Sequence, residues 1–148
     1  MQDIKSVVEK IKRKYKTSEP FELCSLMGIT VLYSDLGSIR GIYQYKYKKR
    51  MIHINCNLDS YLKRQVCAHE LGHAVLHRKT NTVFLDAFTY LPVEKVEIEA
   101  NIFAAELLIG DIDPKHYEGY CLSQVASCLE VSEKMMEYKV KYLLDKEG

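Results

Sequence analysis

Val66-Cys67-Ala68-His69-Glu70-Leu71-Gly72-His73-Ala74-Val75-Leu76-His77 is the stretch around which the rest of the chain is organised. On a helix, side chains four residues apart stand one turn above each other, so His69 and His73 can offer two imidazole nitrogens to one metal ion. Glu70 is rotated between about a sixth and a third of a turn from the two histidines, within reach of a metal-held water without being a ligand itself. A zinc ion acidifies such a water and polarises a carbonyl, while the adjacent carboxylate takes the proton and passes it to the leaving amine. The flanks matter as much as the motif. Val66, Leu71, Ala74, Val75 and Leu76 make the segment a half-buried helix, where two histidines and a glutamate need a purpose, whereas a chance occurrence belongs on a solvated one.

His77 lies one further turn along the same face. It is not a third ligand of the same ion, because a straight helix cannot wrap three successive turns around one point. It reads either as a helix-end histidine, favourable near the negative end of the dipole, or as a group supporting the site or lining a substrate pocket.

Length and composition set the frame. A chain of 148 residues is expected to be a single domain, 1–148, with a sizeable core. Its 47% hydrophobic and 28% charged content is ordinary for a globular protein, and a net charge of +1 gives no global pull towards nucleic acid or an acidic partner. The cysteines, Cys24, Cys56, Cys67, Cys121 and Cys128, are odd in number and contain no CxxC pair. They read as reduced core thiols of a cytoplasmic protein. No apolar run approaches the ~20 residues that span a bilayer, and the first residues form a charged amphipathic segment rather than a signal core, so no membrane role is expected.

The periodicity predicts a helix from about Asp3 to Tyr15, with Ile4, Val7, Val8 and Ile11 as its apolar stripe and a basic, solvated outer face. A short second helix, Phe21 to Met27, ends at Gly28. The period then changes to two. Strands are expected at Ile29 to Tyr33, Ile39 to Tyr47 and Met51 to Cys56, with a turn at Lys48-Lys49, forming a small three-stranded antiparallel sheet. An exposed edge of such a sheet could pair with an extended substrate, although each tyrosine in it reads first as a packing residue. Asn57-Leu58-Asp59-Ser60 offers caps for the metal helix, Tyr61 to His77. The apolar segment Arg78 to Leu91 either packs down or lines a cleft. The fold class is therefore α+β: a small sheet packed on a mainly helical, zincin-like domain.

A catalytic zinc usually has three protein ligands and an open position. The helix opened by Pro92 and closed by Gly110 offers Glu94, Glu97, Glu99 and Glu106. Its apolar stripe is Val96, Ala100, Phe103 and Leu107. Glu99 lies about 60° from Val96 on the side of Phe103, while Glu97 lies about 100° away on the other side, so Glu99 is the carboxylate most nearly turned inward. Glu94 and Glu97 read as solvated flank.

At this point the chain resembles the ImmA/IrrE metallopeptidase family. His69-Glu70-Leu71-Gly72-His73 is followed by Glu97-Ile98-Glu99-Ala100-Asn101-Ile102-Phe103-Ala104-Ala105-Glu106-Leu107-Leu108, and Leu26-Met27-Gly28-Ile29-Thr30-Val31, Gly41-Ile42-Tyr43 and Ile52-His53-Ile54-Asn55 precede it in a similar order. The likeness covers the chain from about Phe21 to Leu144. It implies a zinc endopeptidase with His69, His73 and Glu99 as ligands, Glu70 as general base and Asn101 in a supporting role. It also implies a protein substrate, since members of the family commonly cleave transcriptional repressors of phages or integrative elements, while others act in damage-response regulation. Ile109-Gly110 departs from the Met-Pro usual in relatives, which affects the helix end and leaves the ligand set intact.

Residues 121–146 form a C-terminal helical pair with helix-turn-helix-like apolar spacing, Glu130 occupying the turn position that usually carries glycine. Its second helix, Glu133 to Lys146, balances Lys134, Lys139, Lys141 and Lys146 against Glu133, Glu137 and Asp145. Phosphate neutralisation dominates DNA affinity, so this unit reads as packing or partner docking, with nucleic acid disfavoured. The competing functional class is a metal-bound regulatory module that binds a partner protein or DNA with little turnover. The group that stabilises the oxyanion stays open among His53, His116, Tyr90 and Tyr117.

Overall fold

Asp3 opens the first helix by accepting a hydrogen bond from the Ser6 amide, and α1 runs from Ile4 to Tyr15 with Ile4, Val8 and Ile11 buried. The fold is taken from a computed structural model that describes residues 3–81 and 93–147. After α2 (Pro20–Leu26), started by proline in its first turn, come β1 (Thr30–Ser34), β2 (Gly41–Lys46) and β3 (Lys49–Asn55). The metal helix is α3 (Ser60–Leu76), followed by α4 (Val93–Ile109), a 3-10 turn (Pro114–Tyr117), α5 (Leu122–Cys128) and α6 (Glu133–Glu147). Asp59 caps α3 by accepting from the Leu62 amide at 2.8 Å. Among the described residues, no helix is long and apolar enough to cross a membrane.

The architecture is the expected small α+β fold, but the sheet is mixed rather than antiparallel. Its order is β1-β3-β2, with β3 antiparallel to β2 and parallel to β1. Alternation in the sequence reports which face of a strand is buried and is silent on its neighbours. The loop after β1 carries the chain past one strand position, and β3 returns to fill it. The β2–β3 turn falls one residue earlier than expected, at Tyr47 and Lys48, whose φ values of 52° and 61° suit a two-residue hairpin turn of left-handed residues. Tyr47 is therefore a turn residue rather than a member of the Tyr43 face.

The main core lies between the sheet, α3 and α4, and includes Leu23, Tyr43, Ile52, Ile54, Leu71 and Phe103. Gly72 makes the α3–α4 contact possible. A Cβ there would lie 3.1 Å from both the Ala100 carbonyl oxygen and Phe103 Cβ, so the missing side chain lets the two backbones approach. A second cluster joins the C-terminal part of α4 to α5 and α6 through Ala105, Ile109, Val125, Ala126, Val131 and Met136. Beside it the Lys139 ammonium sits 2.9 Å from both oxygens of Glu106, each side chain almost wholly buried. Glu130 between α5 and α6 has φ 56°, the left-handed conformation usual for glycine at that turn. All five cysteines are free thiols, but only Cys24 and Cys67 belong to the core. Cys56, Cys121 and Cys128 are exposed, which corrects their reading as core thiols.

Candidate metal centre

The close approach of α4 to α3 at Gly72 brings a carboxylate onto the His69–His73 face. That carboxylate is Glu97. One oxygen lies 2.9 Å from His69 Nε2 and the other 3.2 Å from His73 Nε2, and the two Nε2 atoms are 3.2 Å apart. These donor atoms all lie within 4.8 Å of one another. Two imidazoles and one carboxylate converging this closely are the donor set of a three-ligand metal site with an open position. The residues therefore fit a metal ion. Each ring is also held from behind: His69 Nδ1 lies 2.8 Å from Asn101 Oδ1, and His73 Nδ1 lies 3.2 Å from His77 Nδ1.

The structure thus places Glu97 where Glu99 was expected. Glu99 is indeed turned further inward, its side chain 16% exposed against 39% for Glu97, but it points to His77 Nε2 at 3.6 Å. The helical wheel misjudges this because α4 is enclosed by α1, α3 and α6, so inward is not one direction. A signal was present in the spacing. Glu97 and Asn101 stand one turn apart and meet opposite sides of the His69 ring.

Glu70 is 5% exposed, and its Oε2 is buried without a hydrogen-bond partner among the described residues. Burial raises its pKa to about 7; the charge on His69 opposes that shift and the charge on Glu97 adds to it. Burial also holds His73 and His77 below the usual histidine value, which favours the neutral form a metal needs. Burial works against charge on His69 too, but the Glu97 hydrogen bond and the Glu70 charge outweigh it and raise that imidazole. Glu97 pays the same burial cost, yet its bonds to His69 and His73 pull its carboxyl well below the usual range.

A cleft of about 570 Å³ opens over these groups, walled by residues 39–42 at the start of β2, by Gln65, Val66, His69 and Glu70 of α3, and by Met135 and Tyr138 of α6. The strand lies hard against the helix: a Cβ on Gly41 would fall 2.5 Å from Val66 Cγ1 and 3.3 Å from Glu70 Cγ. None of the oxyanion candidates with described positions lines this cleft. His53 Nε2 meets Gln44 on the sheet at 3.1 Å, His116 faces Asp113 at the surface, and Tyr117 stacks edge-on with Tyr120. Tyr90 lies outside the described residues, as does most of the apolar segment that follows α3. The cleft residues that sequence reasoning missed, Arg40, Gln65 and Tyr138, carry no spacing signal because three separate elements supply them.

A helix bearing two histidines four apart with a buried glutamate beside the first, and a carboxylate delivered by the next long helix, defines a metal-dependent peptidase site. The peptidase family described as IrrE N-terminal-like domain matches residues 24–141, and the chain belongs to that family. Among its relatives, the metallopeptidase ImmA of Bacillus subtilis (strain 168) is 30% identical over 146 residues, covering 95% of this chain and 85% of that protein. The uncharacterized immunity region protein 2 of Bacillus phage phi105 is 46% identical over 109 residues, covering 73% of this chain and 69% of that protein. The protein is a metallopeptidase.

Proposed function

We propose that this metallopeptidase is a zinc-dependent endopeptidase whose substrate is a helix-turn-helix transcriptional repressor of a phage or mobile element, cut in the cytoplasm where such repressors act. The observation that carries the hydrolytic reading is Glu70: a buried carboxyl with an unpartnered oxygen, beside three converging metal donors, at the floor of an open cleft. The substrate class rests on the family resemblance and on the relative in phage phi105, which is named for an immunity region.

In this reading His69, His73 and Glu97 hold the ion. Zinc, when bound, supplies a Lewis acid that polarises the scissile carbonyl and lets water attack near neutral pH. Glu70 takes the proton of the attacking water at its unpartnered Oε2 and returns it to the amide nitrogen as the peptide bond breaks. Burial readies it for both halves of that transfer, because a carboxyl raised to about 7 is a stronger base than an exposed one and still ionises at cellular pH. The peptide lies between the start of β2, an edge strand, and α6. The C-terminal helical pair is then a packing unit of one domain that also supplies a cleft wall.

The test is a paired assay. Wild type and Glu70→Gln, both zinc-loaded, are coexpressed with helix-turn-helix repressors encoded beside the gene, and products are read by intact mass. One defined cut made by the wild type alone is expected. A stable complex with both proteins and no cut with either would mean a metal-bound binding module instead.

A further inference from the structure

We propose that His77 and Glu99 form a positioning chain that fixes the tautomer and orientation of His73 for the metal. The inference rests on the ligand set of the preceding section and concerns residues outside it. The argument is proton bookkeeping. His73 Nε2 faces the donor cluster, 3.2 Å from both His69 Nε2 and Glu97 Oε1. A nitrogen that gives its lone pair to an ion carries no proton, so the neutral His73 ring holds its proton on Nδ1. That Nδ1 lies 3.2 Å from His77 Nδ1, which must then accept. An accepting Nδ1 leaves the proton of a neutral His77 on Nε2. Among the described residues His77 Nε2 is buried with no partner inside hydrogen-bond distance, and Glu99 Oε1 stands 3.6 Å away. Each protonation state follows from the one before it: His77 accepts from His73, and the remaining His77 proton sits on the nitrogen that faces the Glu99 carboxylate across 3.6 Å.

The surroundings suit this role better than that of a helix-end cation. His77 is 9% exposed, and the residues around it are tied down. Its amide still donates to the His73 carbonyl at 2.8 Å, although its own φ and ψ have left the helix. The next residue is tied to the sheet by the Tyr43 hydroxyl, which donates to the Arg78 carbonyl, and the Asn81 side chain accepts from the Tyr45 amide at 2.6 Å. Asn101 does for His69 what His77 does for His73, so both ligand rings have a fixed acceptor behind them.

The experiment measures metal binding, not turnover, on the full chain stripped of metal. Zinc affinity is read by competition with a chromogenic chelator, and the visible spectrum of the cobalt-loaded protein reports ligand geometry. His77→Leu is expected to weaken zinc binding about ten- to a hundredfold and to shift the cobalt bands, while His77→Asn, which keeps an acceptor near Nδ1, recovers most of the loss. Glu99→Ala is expected to cost at least about threefold alone and nothing further on the His77→Leu background, since it acts only through His77. His77→Leu within twofold of wild type, or additive losses in the double variant, sinks the chain and leaves the ligand set standing. Should His77→Leu fail to fold, Glu99→Ala decides alone, and an affinity within twofold of wild type overturns the proposal. A wild type that binds no zinc removes the ligand set and the chain together.

Discussion

Two residues separate Glu97 from Glu99, and the α3–α4 packing gives them different partners: one meets His69 and His73, the other His77. Glu70 shows what such placement costs. Its pKa rises from an ordinary 4.5 to about 7 on folding without metal. Between those values the native state holds a proton that the unfolded chain has released, so the stability of the metal-free protein falls as pH rises through that window. Glu70→Gln removes the effect. Metal-free Glu70→Gln is expected to melt above metal-free wild type at pH 8, by of order 2 kcal/mol, with the gap closing by pH 4. Melts at both pH values check this, and an equal gap at pH 4 and pH 8 would refute it. In the proposed mechanism the same substitution is expected to abolish hydrolysis, so the residue that weakens the empty fold is the one the chemistry would use.

At the scale of elements, the junction of β2 with α3 sets the width of the cleft beside Glu70. Gly41→Ala places a methyl 2.5 Å from Val66 Cγ1, so the strand must lift or Val66 must rotate. We expect a stability loss of about 1–3 kcal/mol and a fall in kcat/KM of at least about tenfold, with Val66→Ala in the same chain restoring much of both. Failure of Val66→Ala to rescue would show that the glycine serves backbone conformation instead of close approach. The metal helix was legible because cap, motif and apolar flanks all lie within one stretch, residues 59 to 77. The mixed sheet was not legible, since alternation carries no information about which strands are neighbours. The meeting of Glu97, rather than Glu99, with the two histidines was not legible because α4 is packed on several sides and a single apolar stripe cannot orient it. Its ExxxN spacing gains meaning only once the His69 ring is known to lie between Glu97 and Asn101.

Across the whole molecule, the buried Glu106–Lys139 pair ties α6 to α4 and so holds Met135 and Tyr138 at the cleft. Removing one partner leaves a buried charge alone. Lys139→Met is expected to cost about 3–5 kcal/mol, whereas Lys139→Met with Glu106→Leu costs far less, because an apolar pair of similar volume needs no desolvation. Denaturant titration of the two variants checks this, and equal losses would show that the ion pair itself is the stabilising element. The near-neutral α6 surface thus has one lysine spent inside the protein, which leaves still less positive charge for a nucleic-acid contact.

The sheet order has a last consequence, in time rather than space. The strand at the centre of the sheet is the last of the three to be made, so β1 has no sheet partner until residue 55 has been added. The β2–β3 hairpin closes a two-residue loop and pairs locally, while β1 must close a much longer one to reach Met51 through Asn55. Within the sheet, the entropy of loop closure therefore favours forming the hairpin before the N-terminal strand joins it.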